Sequence, residues 1–175
     1  KQLIPLEGKP LITTVLDRIM ALVPAKVLVV LGAHQKLISP SCKRKGVTLL
    51  VNQDWSEGLS SSIRTAVNHL LQSGATPGPT LFCLVDQPYL QTTHYQKLID
   101  ASRQAPTKII AAYYHGRPAA PMLFPASYLP QLLTLTGDRG AGKWVRSIPQ
   151  SVIEVALPEA GIDWDQPSDL PQVTL

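Results

Sequence analysis

The protein has 175 residues, of which 45% are hydrophobic and 16% charged, and its formal net charge is +4. This composition excludes a disordered chain, and the length predicts a single domain over residues 1–175. Aromatic residues make up only 6% and lie in no basic stripe, which argues against nucleic-acid binding. The apolar runs stop well short of the ~20 residues that span a bilayer, so no membrane partner is expected.

Two kinds of apolar pattern alternate along the chain. Helical spacing is present in residues 11–22, whereas residues 26–31 form a continuous β-branched run typical of a buried parallel strand. In chain order the pattern predicts helix 11–22, strand 26–31, strand 47–51, helix 60–71, strand 80–85, helix 92–102, strand 108–113, helices 127–135 and 141–147, strand 152–157, and a short helix or turn opened by Pro167. The fully apolar run 80–85 predicts a central strand. This alternation predicts an α/β sheet with helices on both faces and ligands at the carboxyl ends of its strands.

The cysteines and histidines argue against a disulfide framework and a zinc site. Cys42 and Cys83 stand at unrelated positions, and the four histidines lack HxxxH or HExxH spacing. A reduced, cytoplasmic setting is therefore the expectation.

A carboxylate follows the predicted central strand directly. Asp86 comes after Val85, and Pro88 stops the strand. At the tip of a central strand, a carboxylate is well placed to hold a divalent cation against a phosphate. A turn-forming Asp before Pro is the alternative, and the pattern leaves both open.

Residues 52–62 follow the second predicted strand and lead into a helix that begins with three serines. Exposed N–H groups at a helix N-terminus, with Gly58 allowing close approach, can bind a ligand. One serine would suffice as an N-cap, and the other two leave hydroxyls available. The segment therefore indicates a binding loop, with simple helix capping as the alternative.

Two further segments carry candidate chemistry. Asp163 and Asp165 stand before the helix-starting Pro167, where they either face a metal or cap a helix. Residues 137–143 match seven positions of the phosphate-loop pattern GxxxxGK[ST], but Trp144 replaces the hydroxyl that must reach magnesium. The preceding residues look helical, so we reject a Walker-type site and keep a glycine-rich loop that touches phosphate as a separate possibility.

Taken together, these segments resemble the MobA-like nucleotidyltransferases, most closely the molybdenum cofactor cytidylyltransferases. The resemblance rests on six segments in order: residues 1–12 (KQLIPLEGKPLI), 52–62 (N-x-x-W-x-x-G-x-S-S-S), 84–88 (LVDQP), 121–124 (PMLF), 137–141 (GDRGA) and 163–170 (DWDQPSDL). The family's first strand and its A-A-G-x-S-x-R-M-G phosphate loop are not in this chain, which therefore resembles a portion of a longer protein. Gly142 stands where the family often has Arg, and Trp164 and Gln166 replace the usual Ile and Thr.

The resemblance implies a three-layer α/β/α, Rossmann-like fold of the nucleotide-diphospho-sugar transferase type with a mostly parallel sheet. It implies transfer of a nucleoside monophosphate, CMP favoured, from an NTP to the phosphate of the molybdopterin cofactor, with release of pyrophosphate. Mg²⁺, with Mn²⁺ as the alternative, would be the cofactor. A molybdoenzyme or its chaperone would be a further partner.

The same resemblance assigns roles to individual residues. Lys1 and Asp86 would be catalytic, and Asp86 and Asp165 would hold the metal. The residues that would bind the nucleotide are Lys1, Asn52, Gly58, Leu59 and Ser60. The residues that would bind the acceptor are Gly137, Asp138, Gly140 and Ala141. Two alternatives stay open, namely transfer to another phosphorylated acceptor such as a sugar phosphate or phosphocholine, and a non-catalytic nucleotide-binding maturation factor. The base is also open: the resemblance favours CTP, GTP comes next, and ATP remains a further alternative.

Overall fold

The computed structural model describes residues 1–74, 76–138 and 140–164. Its elements are β1 (Pro5–Leu6), β2 (Lys9–Pro10), α1 (Leu11–Met20), β3 (Val27–Leu31), α2 (Gln35–Cys42), β4 (Val47–Val51), α3 (Leu59–Gln72), β5 (Thr80–Phe82), α4 (Thr92–Gln104), β6 (Ile109–Tyr114), β7 (Arg117–Phe124), α5 (Leu129–Leu132), α6 (Gly142–Arg146) and β8 (Val152–Ala156). Short 3₁₀ turns span Trp55–Glu57, Ala126–Tyr128, Pro149–Ser151 and Pro158–Gly161. The helix or turn predicted at Pro167 lies outside the described residues.

The strands form a mixed, mostly parallel α/β arrangement. β3 pairs in parallel with β4, and four strands form a sheet in the order β5-β7-β6-β8. β6 and β8 are parallel, and β7 runs antiparallel to both β5 and β6, so three of these four strands point the same way. The fold class predicted from the sequence is confirmed.

Alternating side chains of β6 show why the sheet has helices on both faces. Ile109 and Ala111 pack in a buried cluster with side chains of α3, α5 and α6. Ile110 and Ala112 point the opposite way and pack with Leu98 of α4. Because successive residues of a strand face opposite sides, a continuous apolar run requires cover on both sides. The result is three layers, with helices above and below the sheet.

β5 is shorter than predicted and does not lie at the centre of its sheet. It ends at Phe82, which pairs with Met122 of β7, and the next β7 residue in the register is Pro121, which has no N–H to donate. β5 pairs only with β7, and β3 only with β4, among the described residues. The expectation of a central strand is therefore wrong for the described sheet.

Helix α1 packs against both groups of strands. Ile19 contacts the cluster around β3 and also the cluster around β6. Residues 80–85 are half-buried rather than exposed. None of the helices in the described ranges is long and apolar enough to cross a membrane.

Candidate active site

Asp86 lies in the turn that follows β5, and Lys1 is its ion-pair partner. Lys1 Nζ donates to Asp86 Oδ2 at 2.6 Å, which brings two predicted catalytic residues together across 85 positions of sequence. The other oxygen, Asp86 Oδ1, is buried and accepts no hydrogen bond in the described structure. A buried carboxylate oxygen without a donor is costly, and a bound cation would satisfy it.

The Asp163 segment is brought to the same turn. Trp164 N donates to the backbone oxygen of Asp86 at 2.8 Å, so Asp163 lies one residue from this contact. Burial raises the pKa of the Tyr114 hydroxyl, and the negative charges of Asp163 and Asp86 raise it further. Asp165, the second predicted metal ligand, lies outside the described residues.

Asn52 occupies the carboxyl end of β4, but its side chain is committed to the protein itself. Asn52 Nδ2 donates to Ser61 Oγ at 2.7 Å and to Ser62 Oγ at 3.0 Å, and Asn52 Oδ1 accepts from Asp54 N at 2.9 Å. Only 2% of Asn52 is exposed. The side chain thus fastens the strand end to the first turn of α3, and any role in nucleotide binding is indirect.

The first N–H groups of α3 are also already paired. Leu59 N donates to Asp138 Oδ1 at 3.3 Å, and Ser60 N donates to the backbone oxygen of Gly137 at 3.1 Å. The sequence predicts exposed N–H groups here, and the structure corrects that prediction because the loop around residues 137–138 caps the helix from outside. The Ser60 hydroxyl is buried without a hydrogen-bond partner in the described structure.

Glycines allow this close contact between the predicted nucleotide and acceptor segments. Gly58 has φ +110°, and a Cβ on it would lie 2.7 Å from Asp138 Cα. Gly140 has φ +53°, and its Cβ would lie 2.9 Å from Leu59 Cδ2. Ala141 follows as a buried residue at the start of α6. The two predicted segments are therefore packed against each other.

An ion pair reinforces that packing from the side. Arg64 of α3 pairs with Glu57 and also donates to the backbone oxygen of Leu135 at 2.6 Å. Its guanidinium lowers the pKa of Glu57, and a backbone hydrogen bond from Gly137 lowers it further. Arg64 thus helps to hold α3 against the loop around residues 137–138, which is called the acceptor loop here after the role that the sequence predicts for it.

The acceptor loop borders a cavity of about 540 Å³. Its lining includes the loop residues Gly137, Asp138 and Gly140, together with Lys143 and Trp144. The element that precedes the loop is helix α5, as the sequence predicts, and not the strand that a Walker-type loop follows. The loop nevertheless borders a cavity whose wall includes the lysine side chain of Lys143 and the indole of Trp144.

The described residues contain no group of three or more histidine, cysteine, aspartate or glutamate side chains able to hold a metal ion. Asp86 and the nearby Asp163 are the carboxylates that this region offers, and Asp165 follows beyond the described range. Oxygen ligands of this kind, completed by water and phosphate, suit Mg²⁺ or Mn²⁺. The unpaired Asp86 Oδ1 is the structural feature that fits such an ion.

A mostly parallel α/β sheet with a lysine and a carboxylate beyond one strand end is the arrangement in which α/β proteins bind ligands. Residues 1–152 match the MobA-like NTP transferase domain, and the chain belongs to this family of nucleotidyltransferases, which use nucleoside triphosphates. A curated relative, nicotine blue oxidoreductase of Paenarthrobacter nicotinovorans, is 30% identical over 159 residues, covering 85% of this chain and 74% of its own.

Solved structures support the same fold. Rv0371c of Mycobacterium tuberculosis superposes with a TM-score of 0.80 at 24% identity, over 97% of this chain and 86% of its own. A second structure of Rv0371c is a complex with manganese, with a TM-score of 0.78 at 24% identity, over 97% of this chain and 88% of its own. A nucleotidyl transferase from Methanothermobacter thermautotroptrophicus gives 0.77 at 17% identity, over 97% of this chain and 81% of its own.

Proposed function

We propose that this protein transfers CMP from CTP to the terminal phosphate of the molybdopterin cofactor and releases pyrophosphate. The observation that carries the proposal is the Lys1–Asp86 pair, with its 2.6 Å contact and its buried, unpaired carboxylate oxygen. Family membership supports nucleotidyl transfer, and the six segments that resemble the cytidylyltransferase branch support the choice of base and acceptor.

In the proposed reaction, a phosphate oxygen of the acceptor forms a bond to the α-phosphorus of CTP while the bond to the β-phosphate bridging oxygen breaks. Both electrons of the broken bond leave with pyrophosphate. Such a reaction needs positioning and charge compensation more than a proton shuttle. Lys1 would supply the ammonium that neutralises the charge developing toward pyrophosphate.

Asp86 and Asp165, with Asp163 as a further carboxylate, would hold Mg²⁺ or Mn²⁺. The ion would polarise the α-phosphate and offset its negative charge. Lys1 pairs with Oδ2 of Asp86, which leaves Oδ1 for the ion.

The remaining predicted residues take positioning roles in this proposal. Asn52 holds the strand end to α3, and Gly58 lets the acceptor loop approach Leu59 and Ser60. Gly137, Asp138, Gly140 and Ala141 would place the acceptor between the nucleotide and the 540 Å³ cavity. We also propose that the product passes to a molybdoenzyme or its chaperone in the cytoplasm, where Cys42 and Cys83 stay free thiols.

We further propose that residues 1–175 belong to one domain whose sheet is completed by another strand, upstream of Lys1 as the resemblance implies. The open edges of β3 and β5 support this proposal, because each of these strands pairs on one side only among the described residues. Such a strand would join the two groups of strands into one sheet.

The test incubates the protein with each of the four triphosphates, Mg²⁺ or Mn²⁺, and molybdenum cofactor, and measures pyrophosphate. CTP should give the highest rate, with the cytidine dinucleotide form of the cofactor as product. Pyrophosphate release only with a sugar phosphate or phosphocholine would replace the acceptor. Nucleotide binding without pyrophosphate would favour the maturation factor. Redox turnover without pyrophosphate would place the protein with its 30% identical relative, nicotine blue oxidoreductase.

A further inference from the structure

The turn that carries Asp86 is fastened to the segment that carries Asp163 by a buried amide. Gln87 directly follows Asp86 and has no solvent exposure. Its Nε2 donates to the backbone oxygen of Ala160 at 2.7 Å and to that of Ala120 at 3.0 Å. Ala160 lies in the 3₁₀ turn just before Asp163, so this side chain ties the start of that segment to the Asp86 turn and to β7.

A second fastening lies at the other end of the same segment. Trp164 is only 2% exposed and packs in a cluster with Leu11 and Val15 of α1. Its ring meets Tyr89 edge-to-face, with 6.2 Å between ring centroids. The backbone N–H of Trp164 completes the contact by donating to Asp86 O at 2.8 Å. Asp163 is therefore held between two fixed points.

We propose that Gln87 and Trp164 are positioning residues that hold residues 160–164, the carboxylate arm, against the Asp86 turn and so present Asp86 and Asp163 together to one divalent cation. This inference rests on the metal-dependent transfer proposed above. Two nearby carboxylates repel each other, so an unfastened arm would move apart in the absence of the ion. Holding them in place beforehand removes that cost from metal binding.

The polarity of Gln87 argues for a role beyond packing. Its Oε1 is buried and has no hydrogen-bond partner in the described ranges, which costs stability. An apolar side chain of similar length would fill the same space without that cost, but would leave the carbonyls of Ala120 and Ala160 without this donor. The Gln87 amide therefore fixes the position of the carboxylate arm, while its unpaired Oε1 lowers the stability of the fold.

The test is a titration of the nucleotide-free protein with Mn²⁺, followed by electron paramagnetic resonance of the free ion. Gln87→Met retains the length of the side chain but donates no hydrogen bond. We expect its Mn²⁺ dissociation constant to rise about tenfold, equivalent to about 1.4 kcal/mol. The matched control is Ile38→Ala in α2, which removes buried apolar volume away from the turn. It should lower the melting temperature but bind Mn²⁺ like the parent.

A second variant, Trp164→Leu, removes the ring contacts that Trp164 makes with α1 and Tyr89. If Gln87→Met does not fold, Trp164→Leu alone tests the positioning role. We expect its Mn²⁺ affinity to fall at least threefold. Parental affinity in a folded Gln87→Met or Trp164→Leu protein would overturn the positioning role and leave the proposed transfer intact. If the parent itself binds no Mn²⁺ without nucleotide, the positioning role is overturned, and pyrophosphate release in the presence and absence of Mn²⁺ then decides the proposed transfer separately.

Discussion

Asp86 and Asn52 show how differently two predicted site residues can be used by the same fold. Both follow a strand, and both were expected to face a ligand. Asp86 retains an unpaired oxygen, whereas Asn52 uses its amide nitrogen and oxygen on Ser61, Ser62 and Asp54. The sequence places both residues at strand ends but cannot say which polar atoms neighbouring side chains will occupy. That outcome depends on tertiary contacts.

Replacing Asp86 by Asn should lower turnover about 10²–10³-fold, because the neutral amide loses the charge that pairs with Lys1 and attracts the cation. The measurement is pyrophosphate release under saturating triphosphate and metal, with a thermal melt to show that the fold is intact. Asp100→Asn is the control, since that carboxylate lies on the surface of α4 and pairs with Arg103. Equal rates for both variants would remove Asp86 from the mechanism.

Gly58→Ala should destabilise the protein by about 2–4 kcal/mol, because the residue has a left-handed φ of +110° and its Cβ would lie 2.7 Å from Asp138 Cα. Urea unfolding measures this loss. Gly78→Ala is the matched control, since no heavy atom lies within 4 Å of its Cβ position. If the two variants unfold at the same urea concentration, the acceptor loop is not packed on α3 as described.

At the scale of elements, the regular apolar patterns predicted most helices and strands, with β5 as an exception, whereas the proline-containing segments were missed. β4 was predicted with its observed bounds, and α3 within one residue at each end. β7 was missed because Pro118 and Pro121 interrupt its apolar run, and α2 was missed because Pro40 lies inside it. In α2 and β7, tertiary packing overrides the unfavourable local preference of proline. Such packing cannot be recognised from the local sequence pattern.

The open strand edges lead to a prediction about hydrogen exchange. Amides of β6 donate within a strand that is paired on both sides, whereas β5 is paired only with β7 and β3 only with β4 in the described structure. Amides on the open sides of β3 and β5 should therefore exchange at least ~10²-fold faster than those of β6. Mass spectrometry of peptic fragments from native protein measures the difference. Protection of β5 equal to that of β6 would show that another strand or a second chain covers its edge.

For the whole molecule, the buried thiols link stability to pH. Cys83 packs against the cluster around Tyr95, and burial raises the pKa of its thiol from 9.0 to about 12. Burial also raises the pKa of Cys42 and of Tyr95. In each case the native state retains a proton that the unfolded chain releases at lower pH. Stability must therefore fall as pH rises above 9.

Cys83 alone should lower the free energy of unfolding by about 1.4 kcal/mol between pH 8 and pH 10, because the unfolded thiol ionises near pH 9.0 while the native thiol stays protonated until about pH 12. The loss is absent below pH 8, since both states are then protonated, and it stops growing above about pH 12, where both are ionised. Urea unfolding at pH 8 and pH 10 measures it, with Cys83→Ala as the comparison. The variant should lose that much less stability over the same interval, and an identical loss in both proteins would mean that the Cys83 thiol is not buried in the native state.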